Sequence, residues 1–261
     1  MSTRPACAVT LKAKPCATIS GVPSGAVLFP AEPAMMASMR VPVSRFARSY
    51  GRRRAACNAA GMIAALLLPR AAAAREFRLL MLGDSITAGY GLPREQGLTV
   101  RLQAALRAAG REVTVLNAGV SGDTTAGGRS RLDWALADRP DAVIVALGGN
   151  DGLRGLAPRQ TEANLTAILD RLAARNLPVM LAGMLAPPNL GAEYGREFAE
   201  VFRRLSQQRP QLVFYPFLLD GVAGEEALNQ PDRIHPNLRG VEEMVRRMLP
   251  AVESLLGRVA A

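Results

Sequence analysis

The chain has 261 residues, 49% of them hydrophobic, and a formal net charge of +10 at pH 7. Residues 1–74 hold ten of the 32 basic residues and one of the 22 acidic ones, so the other 187 are nearly neutral and the overall basicity argues for no nucleic-acid partner. All three cysteines lie in the first 57 residues and the one histidine is His235, which excludes a disulfide framework, a thiolate metal site and a histidine-rich metal site from residues 75–261.

Residues 45–74 read as a secretory signal. Arg45, Arg48 and Arg52-Arg53-Arg54 form a positive region, residues 55–68 are mostly apolar, and Ala71 to Ala74 offer the small side chains that cleavage needs. The apolar run has 14 residues, short of the roughly 20 that span a bilayer. Residues 1–38 show no periodicity, and Met39 is the expected initiator. A leader over 1–74 and one domain over 75–261 are therefore expected, with the domain periplasmic or secreted after cleavage near Ala74.

Within the domain, residues 77–82 are an apolar strand that stops at Gly83-Asp84-Ser85. Residues 96–109 have helical spacing, with Leu98, Leu102, Ala105 and Leu106 on one stripe and Gly110 at the end. Residues 112–116 are a β-branched strand leading into the loop Asn117 to Thr125, and a helix over 125–137 follows. Residues 142–147 are apolar throughout, as central parallel strands are, and end at Gly148-Gly149-Asn150-Asp151. A helix over 159–175, a strand over 178–182, a loop through Pro187-Pro188-Asn189, a helix over 195–208, a strand over 211–215 and a last helix over 237–256 complete the chain. Five strands alternating with helices predict an α/β fold, a parallel sheet covered on both faces.

In such a sheet the segments after each strand lie at one edge, where ligands bind. Ser85, Gly119, Asn150 and the Asn189 loop follow strands one to four, and the Asp232–His235 loop follows the fifth. A serine hydroxyl needs a base to become a nucleophile, and in this chain an imidazole base can only be His235. Asp232, three residues earlier, is spaced to hold the imidazole in one tautomer. The Ser85 N–H, the Gly119 N–H and the Asn150 amide are candidate donors to an oxyanion. A phosphate-binding loop at Gly119 to Gly122 is the rival reading, but a P-loop would need a lysine and residues 75–261 have none. A flavin-binding protein of the same fold is the other rival.

Gly83-Asp84-Ser85, Gly119, Gly148-Gly149-Asn150-Asp151 and Asp232-Arg233-Ile234-His235-Pro236 resemble the four blocks of the SGNH (GDSL) hydrolase superfamily, and within it the bacterial thioesterase I, lysophospholipase L1 and arylesterase group. The resemblance spans about residues 75–261. It implies a flavodoxin-like three-layer sandwich, Ser85 as nucleophile, His235 as base, Asp232 as its orienter, and Ser85, Gly119 and Asn150 as oxyanion donors. It also implies an extracytoplasmic enzyme, and no metal or cofactor is expected. The substrate is expected to be a medium- to long-chain acyl ester or thioester, with the membrane only a source of lipid, and the chain is expected to act as a monomer. The loop over 184–194 is unusually apolar for that edge. Leu185, Pro187, Pro188, Leu190 and Tyr194 are expected to wall one side of an acyl groove, with Phe217, Leu218 and Leu219 on the other.

Overall fold

The computed structural model describes residues 76–259. The leader, the Met39 start, the cleavage point and the domain boundary at residue 75 lie outside the described residues. The strands are β1 Phe77–Gly83, β2 Val113–Gly119, β3 Ala142–Ala146, β4 Val179–Ala182 and β5 Val213–Tyr215. They form one parallel sheet in the order β2-β1-β3-β4-β5. The apolar runs explain that order. β3 and β4 are buried along their whole length, and so are the last five residues of β1. β2 and β5 are partly exposed and stand at the edges.

The helices are α1 Ser85–Ala88, α2 Leu98–Ala108, α3 Thr125–Ser130, α4 Leu132–Ala135, α5 Gly149–Leu153, α6 Pro158–Ala173, α7 Ala192–Gln208 and α8 Leu238–Gly257. α2 packs on α8, while α6 packs on α3 and α7. The right-handed crossover rule puts the first pair on one face and the other three on the opposite face. α7 shows why its side is fixed: Phe198, Val201, Phe202 and Leu205, at helical spacing, are all buried. Each such side chain contributes about 1.5–3 kcal/mol on burial.

The chain leaves β1 toward β2 on one side and β3 lies on the other, so a crevice opens at the carboxyl ends of β1 and β3. Gly83 is level with both Gly119 and Ala146 in the sheet register. Ser85, the loop after β2 and Asn150 therefore emerge at one height. Gly148 precedes α5 with φ 113°; a Cβ there would stand 2.9 Å from the Phe202 ring. One local expectation differs from the structure. The helix expected over 125–137 is broken at Arg131 (φ −102°, ψ 5°) into α3 and α4. Gly127 and Gly128 weaken helix formation there, and Arg131 makes tertiary contacts instead.

Candidate active site

β1 ends because Gly83 and Asp84 stop the apolar run. The Asp84 carboxylate caps α1 by accepting the Ile86 N–H at 3.0 Å. Ser85 is thus the first residue of a helix, where its N–H has no intrahelical partner. The whole turn rests on Gly119: a Cβ there would lie 2.3 Å from the Ala88 nitrogen.

His235 reaches Ser85 from the loop before α8. Its Nε2 is 2.9 Å from Ser85 Oγ, and its Nδ1 is 2.6 Å from Asp232 Oδ2. The other oxygen, Asp232 Oδ1, accepts the N–H groups of Ile234 and His235, each at 3.0 Å. Burial acts to raise the Asp232 carboxyl, but the hydrogen bonds from the His235 N–H, the His235 ring and the Ile234 N–H outweigh it and hold the group down at about 2. Asp232 is therefore charged at any working pH and fixes the tautomer that leaves Nε2 free to accept a proton. The loop itself is clamped from both sides. Gln230 N–H donates to the His235 carbonyl at 2.7 Å, and the Gln230 side chain donates to Tyr90 O and Pro236 O. The Tyr90 ring lies 4.6 Å from the imidazole, and Asn237 caps α8 through Gly240 N–H.

Asn150 is the second residue of α5, four residues past the end of β3. One hydrogen of its amide donates to Asp123 O at 2.9 Å, which leaves the second hydrogen unspent. Its neighbour Asp151 is buried and accepts from Thr125 N–H at 2.8 Å and Thr161 Oγ1 at 3.2 Å, which anchors α5. Gly119 does not fit its expected part. Its N–H donates to Asn117 Oδ1 at 2.9 Å, and its missing Cβ makes room for α1 rather than for substrate. Gly122, by contrast, keeps its backbone N–H out of any hydrogen bond among the described residues, and it adjoins Asp123, whose carbonyl accepts from the Asn150 amide. The sequence signal was the second glycine of the same loop, Ser121-Gly122-Asp123.

A cavity of about 450 Å³ opens beside Ser85 and His235, and Asn150 and Pro188 line it. Leu153, Leu185, Phe217, Leu219 and Ile234 are among its apolar lining. Leu190 and Tyr194 do not line it. Leu190 turns toward Gly155, where an added Cβ would be 3.8 Å from its methyl. Tyr194 faces inward: its hydroxyl donates to Leu156 O at 2.8 Å and its ring stacks on Phe198. Leu218 is wholly buried in the core. Leu153 and Ile234 were missed because they sit inside polar motifs. Their signal was an apolar side chain three residues after Asn150 and one before His235. Among the described residues, no group of three His, Cys, Asp or Glu gathers as a metal would need, and no helix is long and apolar enough to cross a membrane.

Asp84 is 2% exposed. Burial pushes its carboxyl up to about 6 from the ordinary 3.8, and the Ile86 N–H and the nearby His235 charge offset only part of this. The folded chain therefore binds this proton more tightly than the unfolded chain. Asp84 favours folding most below its unfolded value, and that contribution fades as pH rises through about 6, a difference of about 3 kcal/mol at neutral pH. Asp84→Asn keeps an acceptor for Ile86 N–H and removes the buried charge. Urea unfolding should show the variant gaining stability over the parent at pH 7.5 but not at pH 3.5. An equal difference at both pH values would show that the carboxyl is not strained by burial.

Residues 81–242 match the model of the GDSL-like Lipase/Acylhydrolase family. The chain is 40% identical over 197 residues to esterase TesA of Pseudomonas aeruginosa, covering 75% of this chain and 96% of that protein. It is 38% identical over 173 residues to thioesterase 1/protease 1/lysophospholipase L1 of Escherichia coli K12, covering 66% and 80%. A crystal structure of TesA superposes with a TM-score of 0.65 at 40% identity, over 68% of this chain and 99% of that one. AlinE4, an SGNH-hydrolase family esterase, does so with a TM-score of 0.58 at 44% identity, over 69% and 97%. The matched span takes in Ser85, Asn150, Asp232 and His235 together with all five strands but the first four residues of β1. This chain accordingly belongs to the GDSL-like lipase/acylhydrolase family, the SGNH hydrolases, and is an enzyme of the esterase/thioesterase type.

Proposed function

We propose that the chain hydrolyses medium- to long-chain acyl esters and thioesters through an acyl-enzyme on Ser85. The observation that carries this reading is the Ser85–His235–Asp232 chain of contacts, 2.9 and 2.6 Å, beside an apolar-walled cavity. Ser85 Oγ attacks the acyl carbonyl and its proton passes to His235 Nε2. The carbonyl electron pair moves to oxygen, where the Ser85 and Gly122 N–H groups and the Asn150 amide receive it. Collapse expels the alcohol or thiol, which takes the proton from His235. A water molecule, deprotonated in turn by His235, cleaves the acyl-enzyme and frees the acid and Ser85. Asp232 stays charged throughout and stabilises the imidazolium.

All three members of this set come from one chain, which supports action as a monomer. The leader reading of residues 45–74 supports export to the periplasm or beyond, with the hydrolase domain beginning near residue 75. The wall of Leu153, Leu185, Pro188, Phe217, Leu219 and Ile234 supports recognition of the acyl part over the leaving group.

Each methylene buried in that wall contributes about 0.8 kcal/mol, or roughly fourfold in kcat/KM. Rates on p-nitrophenyl esters should therefore climb with acyl length until the cavity is full, and acyl-CoA of equal chain length should follow the same series. Leu185→Ala should flatten the climb for the longer esters and leave the acetyl ester unchanged. A preference for acetyl over octanoyl esters in the parent enzyme would move the reading to a short-chain or carbohydrate esterase.

A further inference from the structure

Arg131, where the expected helix breaks, is 16% exposed at its side chain. Its guanidinium is spent on three acceptors. Nε donates to the Asp123 carboxylate at 2.7 Å, Nη1 to the Ala118 carbonyl at 2.9 Å and Nη2 to the Gly83 carbonyl at 2.8 Å. None of these acceptors is on α3 or α4, its own part of the chain. Gly83 lies two residues before Ser85. Ala118, near the end of β2, and Asp123 flank the loop that carries Gly122, and the Asp123 carbonyl in turn accepts from the Asn150 amide.

We infer that Arg131 is a positioning residue for the oxyanion donors, tying the end of β1 and both ends of the loop after β2 into one rigid unit. The inference rests on the reading of Ser85, Gly122 and Asn150 as those donors. Three N–H groups on three separate segments stabilise a developing charge only if they converge before the reaction, because reorganisation during it would consume their benefit. A guanidinium is suited to the task. It is planar, always charged, and presents five N–H donors in a fixed fork. A lysine in its place has one nitrogen on a flexible stem and cannot reach three acceptors lying in different directions. The local sequence agrees with this arrangement. A Cβ on Gly127 would overlap the Asp123 carboxylate, so the glycine clears the space in which Asp123 meets Arg131. Asp123 is itself only 12% exposed, and a pair this enclosed holds a defined geometry better than one on the surface.

The test uses Arg131→Lys and Asp123→Asn in the full chain, with Asn150→Ala alongside. For each, kcat and KM are measured on p-nitrophenyl butyrate, the folded fraction and Tm by circular dichroism, and Ki for a trifluoromethyl ketone that forms a tetrahedral oxyanion on serine. Arg131→Lys should lower kcat about tenfold to a hundredfold, the scale of a small misplacement of catalytic groups. KM should stay within about twofold, and Ki should rise by the same factor as kcat falls. Asp123→Asn keeps both carbonyl contacts of Arg131 and should show the same pattern with a smaller loss. A guanidinium that only holds the fold would lower Tm and the folded fraction while kcat per folded molecule and Ki stayed at parent values, and that result overturns the inference. If Arg131→Lys does not fold, parent-like kcat and Ki in Asp123→Asn overturn it equally. Asn150→Ala separates the two levels. A parent-like kcat there refutes the oxyanion reading and the inference with it, whereas a loss there beside unaffected Arg131 and Asp123 variants refutes the inference alone.

Discussion

Ser85→Ala is expected to lower kcat by roughly 10³-fold or more while the protein stays folded, with Tm close to that of the parent. The physical case is that Ser85 contributes its hydroxyl to chemistry and little else. Its Oγ meets the imidazole at 2.9 Å, and the cap that holds α1 is made by Asp84, not by Ser85. Removing the hydroxyl therefore leaves the cap, the Ser85 N–H and the cavity in place, and binding groups and oxyanion donors sustain a residual rate over water. His235→Ala should fall to a similar level, because nucleophile and base act as a unit and their losses do not add. A serine-reactive organophosphonate should label the parent once, at Ser85. Substantial activity in the alanine variant, or labelling at another serine, would falsify the acyl-enzyme reading while leaving the fold and family untouched.

The parts of this molecule that were legible in its sequence are those in which one residue does one local job. Continuous apolar runs placed β1, β3 and β4 because central parallel strands are buried on both faces. Their ends placed Ser85 and Asn150 at the sheet edge, and a unique histidine three residues after an aspartate placed the base. What sequence spacing could not convey was which of two nearby glycines has a free N–H. Gly119 and Gly122 share one loop, and only the packing of α1 on Gly119 and the capture of its N–H by Asn117 separate them. The same limit explains Leu190 and Tyr194. Both are apolar residues in the right loop, but the short 3₁₀ turn at Pro188–Leu190 and the start of α7 rotate them away from the cavity. The break at Arg131 was hidden for a related reason. Residues 125–137 satisfy helical spacing, and the competing contacts of Arg131 come from segments 8, 13 and 48 residues away. Tertiary contacts of that kind override local preference without a local signal.

Asn150→Ala is expected to lower kcat by roughly 10²-fold or more, about 3 kcal/mol, with KM nearly unchanged. The amide is held in one orientation by its neighbours. Nδ2 donates to Asp123 O at 2.9 Å, and a flipped amide would set its oxygen against that carbonyl. The second N–H is thus directed before substrate arrives. It interacts weakly with a neutral carbonyl and strongly with the oxyanion, which is why the effect should fall on kcat. The backbone of α5 does not depend on this side chain, since Asp151 anchors it through Thr125 and Thr161; the alanine variant should unfold at nearly the parent temperature. Asn150→Asp sharpens the test. It preserves size and shape but replaces the donor by a charge that repels both the oxyanion and the Asp123 carbonyl, so its kcat should fall below that of the alanine variant. If Asn150→Ala instead raised KM at constant kcat, the residue would be a ground-state binding group, and stabilisation of the oxyanion would have to come from the Ser85 and Gly122 N–H groups alone.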